Sequence, residues 1–337
     1  ISGNGSGQQI TSPFNLPGFP SIVTLTIDVA EGKSYNYSGM WRPNNWDGSK
    51  LTAVDIVKNG KGTQELSGSS SGYTTSPSWS GKITVNDGTL ILSGSILNDF
   101  STLNNYNVGT TGNKFSRPGP IITINGGTLE IKNDWSIGSG NVFNAAMGNN
   151  SSNILINGGV LKFSTYQYAS RGFSVGSNGA TLIADNNFTK GAASGVSTNR
   201  ITGINGGNFN LGGSGNGDLT QDDNIGSYGT WSSQASLSKN DKGTWKISGS
   251  NLGGGINVNG GTLVITGNSI TSGDVNVSGG VLTGQSANSL GTGVVKISGG
   301  QVNIGAGSSN DINLSGGTLN LGGNNSTSKI IMSGGTI

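Results

Sequence analysis

The only dense group of acidic side chains in this chain is the run SGNGDLTQDDNIG, which carries Asp218, Asp222 and Asp223. Carboxylates gathered in this way could hold a hard cation such as calcium, or act as general acid and base on a polysaccharide. The run lacks a closing Glu and the alternate-Asp spacing of a calcium loop, so a solvated turn is the plainer reading. Calcium is the one cofactor the sequence leaves room for. There is no His and no Cys, which removes every nucleophilic triad built on imidazole or thiol. Arginine occurs only at Arg42, Arg117, Arg171 and Arg200. No catalytic residue stands out, and the expectation is a protein that is not an enzyme. A second group is aromatic: Tyr35, Tyr37, Trp41 and Trp46. Aromatic faces stack on sugar rings, which makes these four a candidate ligand platform. The plainer reading is a cover for the end of a stack of strands, whose open edge would otherwise recruit other chains.

What would position such residues is clearest from Ile256 to Ile337. Five phrases follow one another there: INVNGGTLVI, VNVSGGVLTG, VKISGGQVNI, INLSGGTLNL and a clipped IIMSGGTI. Their second glycines, Gly261, Gly280, Gly300, Gly317 and Gly335, are spaced 19, 20, 17 and 18 residues apart. Apolar residues alternate, then Asn or Ser meets a Gly pair, then alternation resumes. That is strand, corner, strand. A unit of about 20 residues cannot bury an apolar face alone, so neighbouring units must stack, with one coil per repeat. The expected fold is all-β, a right-handed parallel β-helix (β-solenoid) with loop insertions and a non-repeating N-terminal cap. Stacking predicts an apolar ladder through Leu263, Leu282, Val302, Leu319 and Ile337. It also predicts a structural corner ladder, Asn125, Asn157, Asn205 and Asn259 followed by Ser278, Ser298, Ser315 and Ser333. Asn tolerates left-handed backbone angles and can hydrogen-bond to its copy one coil away. The glycines do not read as a phosphate cradle, because no helical pattern follows any of them.

A longer phrase occurs twice, at 53–92 and 237–265. Both copies run Lys, Asn, Gly or Asp, Lys, Gly, Thr, two residues, an apolar residue, Ser-Gly, a variable loop, a strand and a Gly-Thr-Leu. The matching residues are Lys58, Gly60, Gly62, Thr63, Leu66, Gly68, Gly88, Thr89 and Leu90. The second set is Lys239, Gly243, Thr244, Ile247, Gly249, Gly260, Gly261, Thr262 and Leu263, with Asp241 in place of the first Gly. The pattern resembles the autotransporter-associated β-strand repeat of type V secreted passengers. With the shorter phrases it touches about half the chain. The resemblance implies a solenoid that is secreted to the bacterial cell surface, and names no ligand.

Residues 1–50 are read as the cap region and 51–337 as β-helix with insertions, a pattern expected to continue beyond 337. Within the cap, the alternation of SIVTLTIDVA predicts a strand. GG phrases continue at ITINGGTLEI, ILINGGVLKF and INGGNFNL with wider gaps between them. Those gaps place excursions at 97–120, 133–153, 164–200 and 212–236, which carry many of the remaining aromatics. Insertions in repeat proteins map to one face, often the binding face. With 62 Gly, charged residues at 10% and net charge +2, the surface is Asn, Ser, Thr and Gly, with no basic stripe for nucleic acid. No apolar run is long enough to insert in a membrane as a helix. The absence of Cys fits an extracellular bacterial protein that crosses membranes unfolded. The expected role is a secreted cell-surface stalk or adhesin-like passenger, whose partners are glycans or proteins of a host or neighbouring cell. The alternative is a subunit of an extracellular fibre or surface layer that self-associates end to end, and a polysaccharide-active β-helix enzyme ranks third.

Overall fold

The computed structural model describes residues 21–38, 52–68, 82–94, 107–108, 113–114, 122–132, 154–165, 167–169, 173–190, 201–203, 207–219, 235–248, 253–269, 271–323 and 329–337. The fold is all-β with no helix among these residues, and apart from one short hairpin the strands stack in parallel. Two compact units emerge, one of residues Ile1–Leu155 with Gly159–Thr165, the other of Ile156–Gly158 with Tyr166–Ile337.

In the first unit each coil contributes two strands flanking a corner. The pairs are β1 (Ser21–Asp28) with β2 (Ser34–Tyr37), and β3 (Thr52–Asn59) with β4 (Thr63–Leu66). Next come β5 (Ile83–Val85) with β6 (Thr89–Leu92), then a hairpin of β7 (Asn107–Val108) and β8 (Asn113–Lys114). The unit closes with β9 (Ile122–Ile124) and β10 (Thr128–Ile131), then β11 (Ile154–Ile156) and β12 (Val160–Phe163). First members stack as β1-β3-β5-β9-β11 and second members as β2-β4-β6-β10-β12. The cap region therefore holds a coil of its own, since β1 pairs β3 over eight residues and β2 pairs β4 over four.

The second unit begins with β13 (Gln167–Ala169) and two coils of three strands each. These are β14 (Phe173–Val175), β15 (Ala180–Ala184), β16 (Phe188–Lys190), and β17 (Ile201–Gly203), β18 (Phe209–Gly212), β19 (Asn216–Leu219). Two-strand coils follow: β20 (Leu237–Lys239) with β21 (Thr244–Ile247), β22 (Ile256–Val258) with β23 (Thr262–Ile265), and β24 (Val275–Val277) with β25 (Val281–Gly284). After them come β26 (Val295–Ile297) with β27 (Gln301–Ile304), β28 (Ile312–Leu314) with β29 (Thr318–Leu321), and β30 (Ile330–Met332). Its three sheets are β14-β17, then β15-β18-β20-β22-β24-β26-β28-β30, then β13-β16-β19-β21-β23-β25-β27-β29. Two expected excursions thus resolve in part into coil: 164–200 supplies the strands β13 to β16, and 212–236 supplies β19. Their weak alternation and lack of an intact GG phrase hid them.

Alternation makes the core. Leu263, Leu282, Val302 and Leu319 stand in register and are fully buried, as the spacing predicts, whereas Ile337, the fifth expected member, is exposed. Each such side chain contributes about 1.5–3 kcal/mol by leaving water. Upstream the same row holds Phe188, Gly217 and Trp245, so a missing side chain lies between two large ones. A Cβ on Gly217 would stand 2.2 Å from the Trp245 ring. The corners need glycine for a different reason. Gly261 has φ +61°, and a Cβ there would meet the Asp241 carbonyl at 2.3 Å. Positive φ and carbonyls of the preceding coil both exclude a side chain.

The expected corner ladder is two ladders, each short. In the first unit Asn125 Nδ2 donates to Asn86 Oδ1 at 3.0 Å and Asn86 Nδ2 to Asn59 Oδ1 at 2.9 Å. In the second, Asn259 Nδ2 donates to Asn240 Oδ1 at 2.9 Å and Ser278 Oγ to Asn259 Oδ1 at 3.0 Å. Asn157 departs from the pattern and accepts from the Asn178 backbone N–H instead. Asn205 lies outside the described residues. Ser298 and Ser315 also depart: their hydroxyls donate to the backbone carbonyls of Val277 and Ile297. A serine side chain is too short to span one coil to the next serine, so it bonds to the nearer carbonyl. Ser333 joins its neighbour through its backbone N–H, which donates to Leu314. Within the second unit the GG phrase also changes sides. Gly207, the described residue of one such phrase, lies between β17 of the first sheet and β18 of the second, whereas from β20 onward the phrase lies between the second and third sheets.

Candidate functional site

The two copies of the long phrase build the same buried polar site. Lys58 ends the inward alternation of β3 and Lys239 that of β20, and both side chains are fully buried. They stand in rows that are otherwise apolar: Lys58 is in register with Val85, and Lys239 with Leu211 and Val258. Each ammonium finds backbone carbonyls. Lys58 Nζ donates to Asn59 O at 2.6 Å, Gly60 O at 2.6 Å and, one coil on, Asp87 O at 3.3 Å. Lys239 Nζ donates to Asn240 O, to Asp241 O at 3.1 Å and, one coil on, to Gly260 O at 3.3 Å.

The corner sequence explains the cradle. Gly60 and Asp241 occupy the same position and both have positive φ, 70° and 60° respectively. That turn aims successive carbonyls at the buried ammonium, and three ammonium hydrogens match three acceptors. Asp241, the departure from the repeat pattern, is the only described non-glycine residue in the left-handed region, and its Oδ2 accepts from Gly213 N at 3.0 Å. Burial pushes the Lys239 ammonium down to about 8 against the pull of Asp241. Burial likewise lowers Lys58, opposed by Asp87 and Asp28. These lysines act as staples between consecutive coils. Their place on the inward parity was legible in VDIVKN and LSKN, where Lys follows Ile56 and Leu237 by two residues.

On the outer face of the first unit, Ser93 Oγ donates to Glu65 Oε1 at 2.6 Å and Ser164 Oγ to Glu130 Oε1 at 2.5 Å. A serine donating to a carboxylate is the opening geometry of nucleophile activation. Here, however, the same offset recurs as Ser67 Oγ to Asn36 Oδ1 at 2.7 Å, where the acceptor is an amide that cannot take a proton. The arrangement is a diagonal tie between coils, with Lys162 adding an ion pair to Glu130 at 3.8 Å.

Among the sequence-derived candidates, Tyr35 is in register with Gln64 and Tyr37 with Leu66, both buried inward positions. The two tyrosines are half-buried over the core side of the first coil, and burial pushes the Tyr37 phenol up. This placement fits a cover for the stack. Trp41 and Trp46 lie outside the described residues, so Tyr35 and Tyr37 are the two of the four aromatics that the structure places. Asp218 sits in β19 in register with Lys246, while Asp222 and Asp223 also lie outside the described residues. Among the described residues no three acidic, His or Cys side chains gather as a metal site. No protein-family model matches the chain, and neither the search of curated proteins nor that of solved structures returned a match.

Proposed function

We propose that this chain is the β-helical stalk of a secreted surface protein, an adhesin-like passenger that presents loops for attachment to cells through glycans or proteins. What supports the reading is where the long insertions leave the stack. In the first unit, 39–51, 69–81, 95–121 and 133–153 each connect the end of a second-sheet strand to the start of the next first-sheet strand. The described strand ends that flank these intervals all lie on one side of the coil, while the corner between first-sheet and second-sheet strands is short throughout. Among the described residues the interior rows are mostly apolar, and the two buried ammonium groups are held by backbone carbonyls. The resemblance of the long phrase to passenger repeats points the same way.

The test is attachment of purified protein to bacterial and epithelial cells. Variants in which 95–121 or 133–153 is replaced by a short Gly-Ser turn are expected to bind at least about tenfold more weakly, a loss of about 1.4 kcal/mol. Their far-ultraviolet dichroism and unfolding midpoint should stay close to those of the parent. An intact chain that attaches to neither cell type nor to any immobilised glycan would end this reading.

A further inference from the structure

The outer face of the third sheet in the second unit changes character after β21. Lys246 on β21 is its last charged side chain, and the following four strands present none. The outward row running on from Lys246 is Val264, Thr283, Asn303 and Asn320, and the neighbouring row includes Val281 and Gln301. Charge has been segregated rather than lost. In residues 262–322 the charged residues are Asp274, Lys296 and Asp311; Asp274 and Lys296 pair at 2.5 Å, and all three lie on or just before strands of the second sheet.

The polar groups of this face are held in place. Gln301 Nε2 donates to Asn303 Oδ1 at 2.7 Å, Asn320 Nδ2 to the same oxygen at 2.8 Å, and Asn303 Nδ2 to Thr283 Oγ1 at 3.1 Å. The network ties the amides of Gln301, Asn303 and Asn320 and the Thr283 hydroxyl to one another. Side chains ordered in advance lose little entropy on binding.

From this face we infer a binding site for a neutral polysaccharide lying along the coil axis, across β23, β25, β27 and β29. The inference deepens the attachment reading and rests on it. Other occupants fit less well. Without cationic side chains the face offers nothing to phosphate, nucleic acid or uronate. Its backbone groups are spent in the ladders, so it cannot add a strand. It spans about 19 Å by about 13 Å, from coil and residue spacings, or about 250 Å². A stable protein partner needs about 800 Å² on each side. A neutral sugar chain needs less, because each residue presents an apolar C–H face and a rim of hydroxyls. Val264 and Val281 suit the former, and the fixed amides and threonine hydroxyl suit the latter. Each of the four coils offers a contact of its own along the same line, so weak contacts accumulate.

The experiment measures binding of the intact chain to neutral glucan, galactan and mannan hexasaccharides, with hexagalacturonate for comparison. A neutral hexasaccharide should bind at least about tenfold more tightly than hexagalacturonate. Val264→Lys and Asn303→Asp should each weaken that binding by about tenfold or more, while Asn276→Asp on the second sheet should leave it unchanged. All three substitutions are outward-facing, and unchanged unfolding midpoints establish that the fold survives. Equal binding by the Val264→Lys and Asn303→Asp variants would overturn the inference, as would preference for the uronate. So would concentration-dependent dimers in sedimentation that Val264→Lys abolishes, which would assign the face to a second copy. Attachment to cells without binding of any neutral hexasaccharide would sink this site alone; absence of both would sink the attachment reading with it.

Discussion

The corner closed by Lys239 and the corners that follow at Ser278, Ser298 and Ser315 share one plan and are held in different ways. In the first, an ammonium inside the stack gathers carbonyls from its own corner and from the next. In the others the same inward position holds Val277, Ile297 and Leu314, and the tie between coils is a serine hydroxyl on the outside. An aliphatic side chain evidently fills the space. What lysine adds is a bond into the neighbouring coil, made where a valine can only pack. A buried charge is weak evidence for stability in itself, but one that must meet carbonyls of a particular successor restricts the register in which that successor docks. The Asn59–Gly60 corner repeats the arrangement in the other unit, with Gly in place of Asp241.

The comparison is broken most forcefully by truncating the staple. Lys239→Ala removes the stem and orphans inward carbonyls, and should lower unfolding free energy by about 3–5 kcal/mol. Lys239→Met keeps the stem and should cost only about 1–2 kcal/mol. Urea titrations followed by dichroism give both values. If Met proves as costly as Ala, the ammonium rather than the stem carries the corner.

Alkali should sharpen the contrast. With Lys239 at about 8 in the fold and near 10.5 in the unfolded chain, the unfolded state holds a proton between those values that the native state has released. Stability therefore rises as pH climbs through this window, by up to about 3 kcal/mol, because neutralising the unfolded lysine removes the advantage it had over the buried one. Below about 8 both states are charged and the full burial cost is present. Lys239→Met should flatten the rise, and an unchanged pH profile in that variant would assign the dependence elsewhere.

A third test compares packing with polar ties. Gly217 gives the Trp245 ring its room, and Gly217→Ala should cost about 1–3 kcal/mol through overpacking. Trp245→Leu, the side chain that Leu263 supplies one coil on, should restore most of that loss in a double-mutant cycle. Additive losses would mean that the alanine disturbs the backbone rather than the ring.

How much of this was legible in sequence follows from how local each feature is. The stack and the ladder from Leu263 to Leu319 were readable because alternation at period two and a fixed spacing determine both. The coil from Phe173 to Lys190 was not, because its corner NG lacks the doubled glycine and its return strand FTK has only one buried residue in view. The single Asn-to-Ser ladder failed for a geometric reason: a repeat phrase reports that a corner exists but not which side of the coil it lies on. The change of sides after β19 depends on a third strand, which no single phrase encodes. Site residues were harder still. Lysine reads as a surface residue by type, and only its parity with Ile56 or Leu237 places it inside.

The smallest expected effect divides the two kinds of corner most finely. Asn259 both donates to Asn240 and accepts from Ser278, so Asn259→Ala breaks two side-chain bonds at an exposed corner. Ser315 makes a single bond to the Ile297 carbonyl, a group that also accepts the backbone N–H of Ser315. Because net hydrogen-bond contributions are about 1 kcal/mol and smaller where water competes, Asn259→Ala should cost about 1 kcal/mol and Ser315→Ala about half that or less. Amide exchange gives a second readout. Removing Asn259 should speed exchange on both sides of its corner, since the ladder ties three coils, whereas removing Ser315 should affect only its own. Equal and purely local effects would mean that the asparagine ladder adds nothing beyond what each corner already has from its backbone.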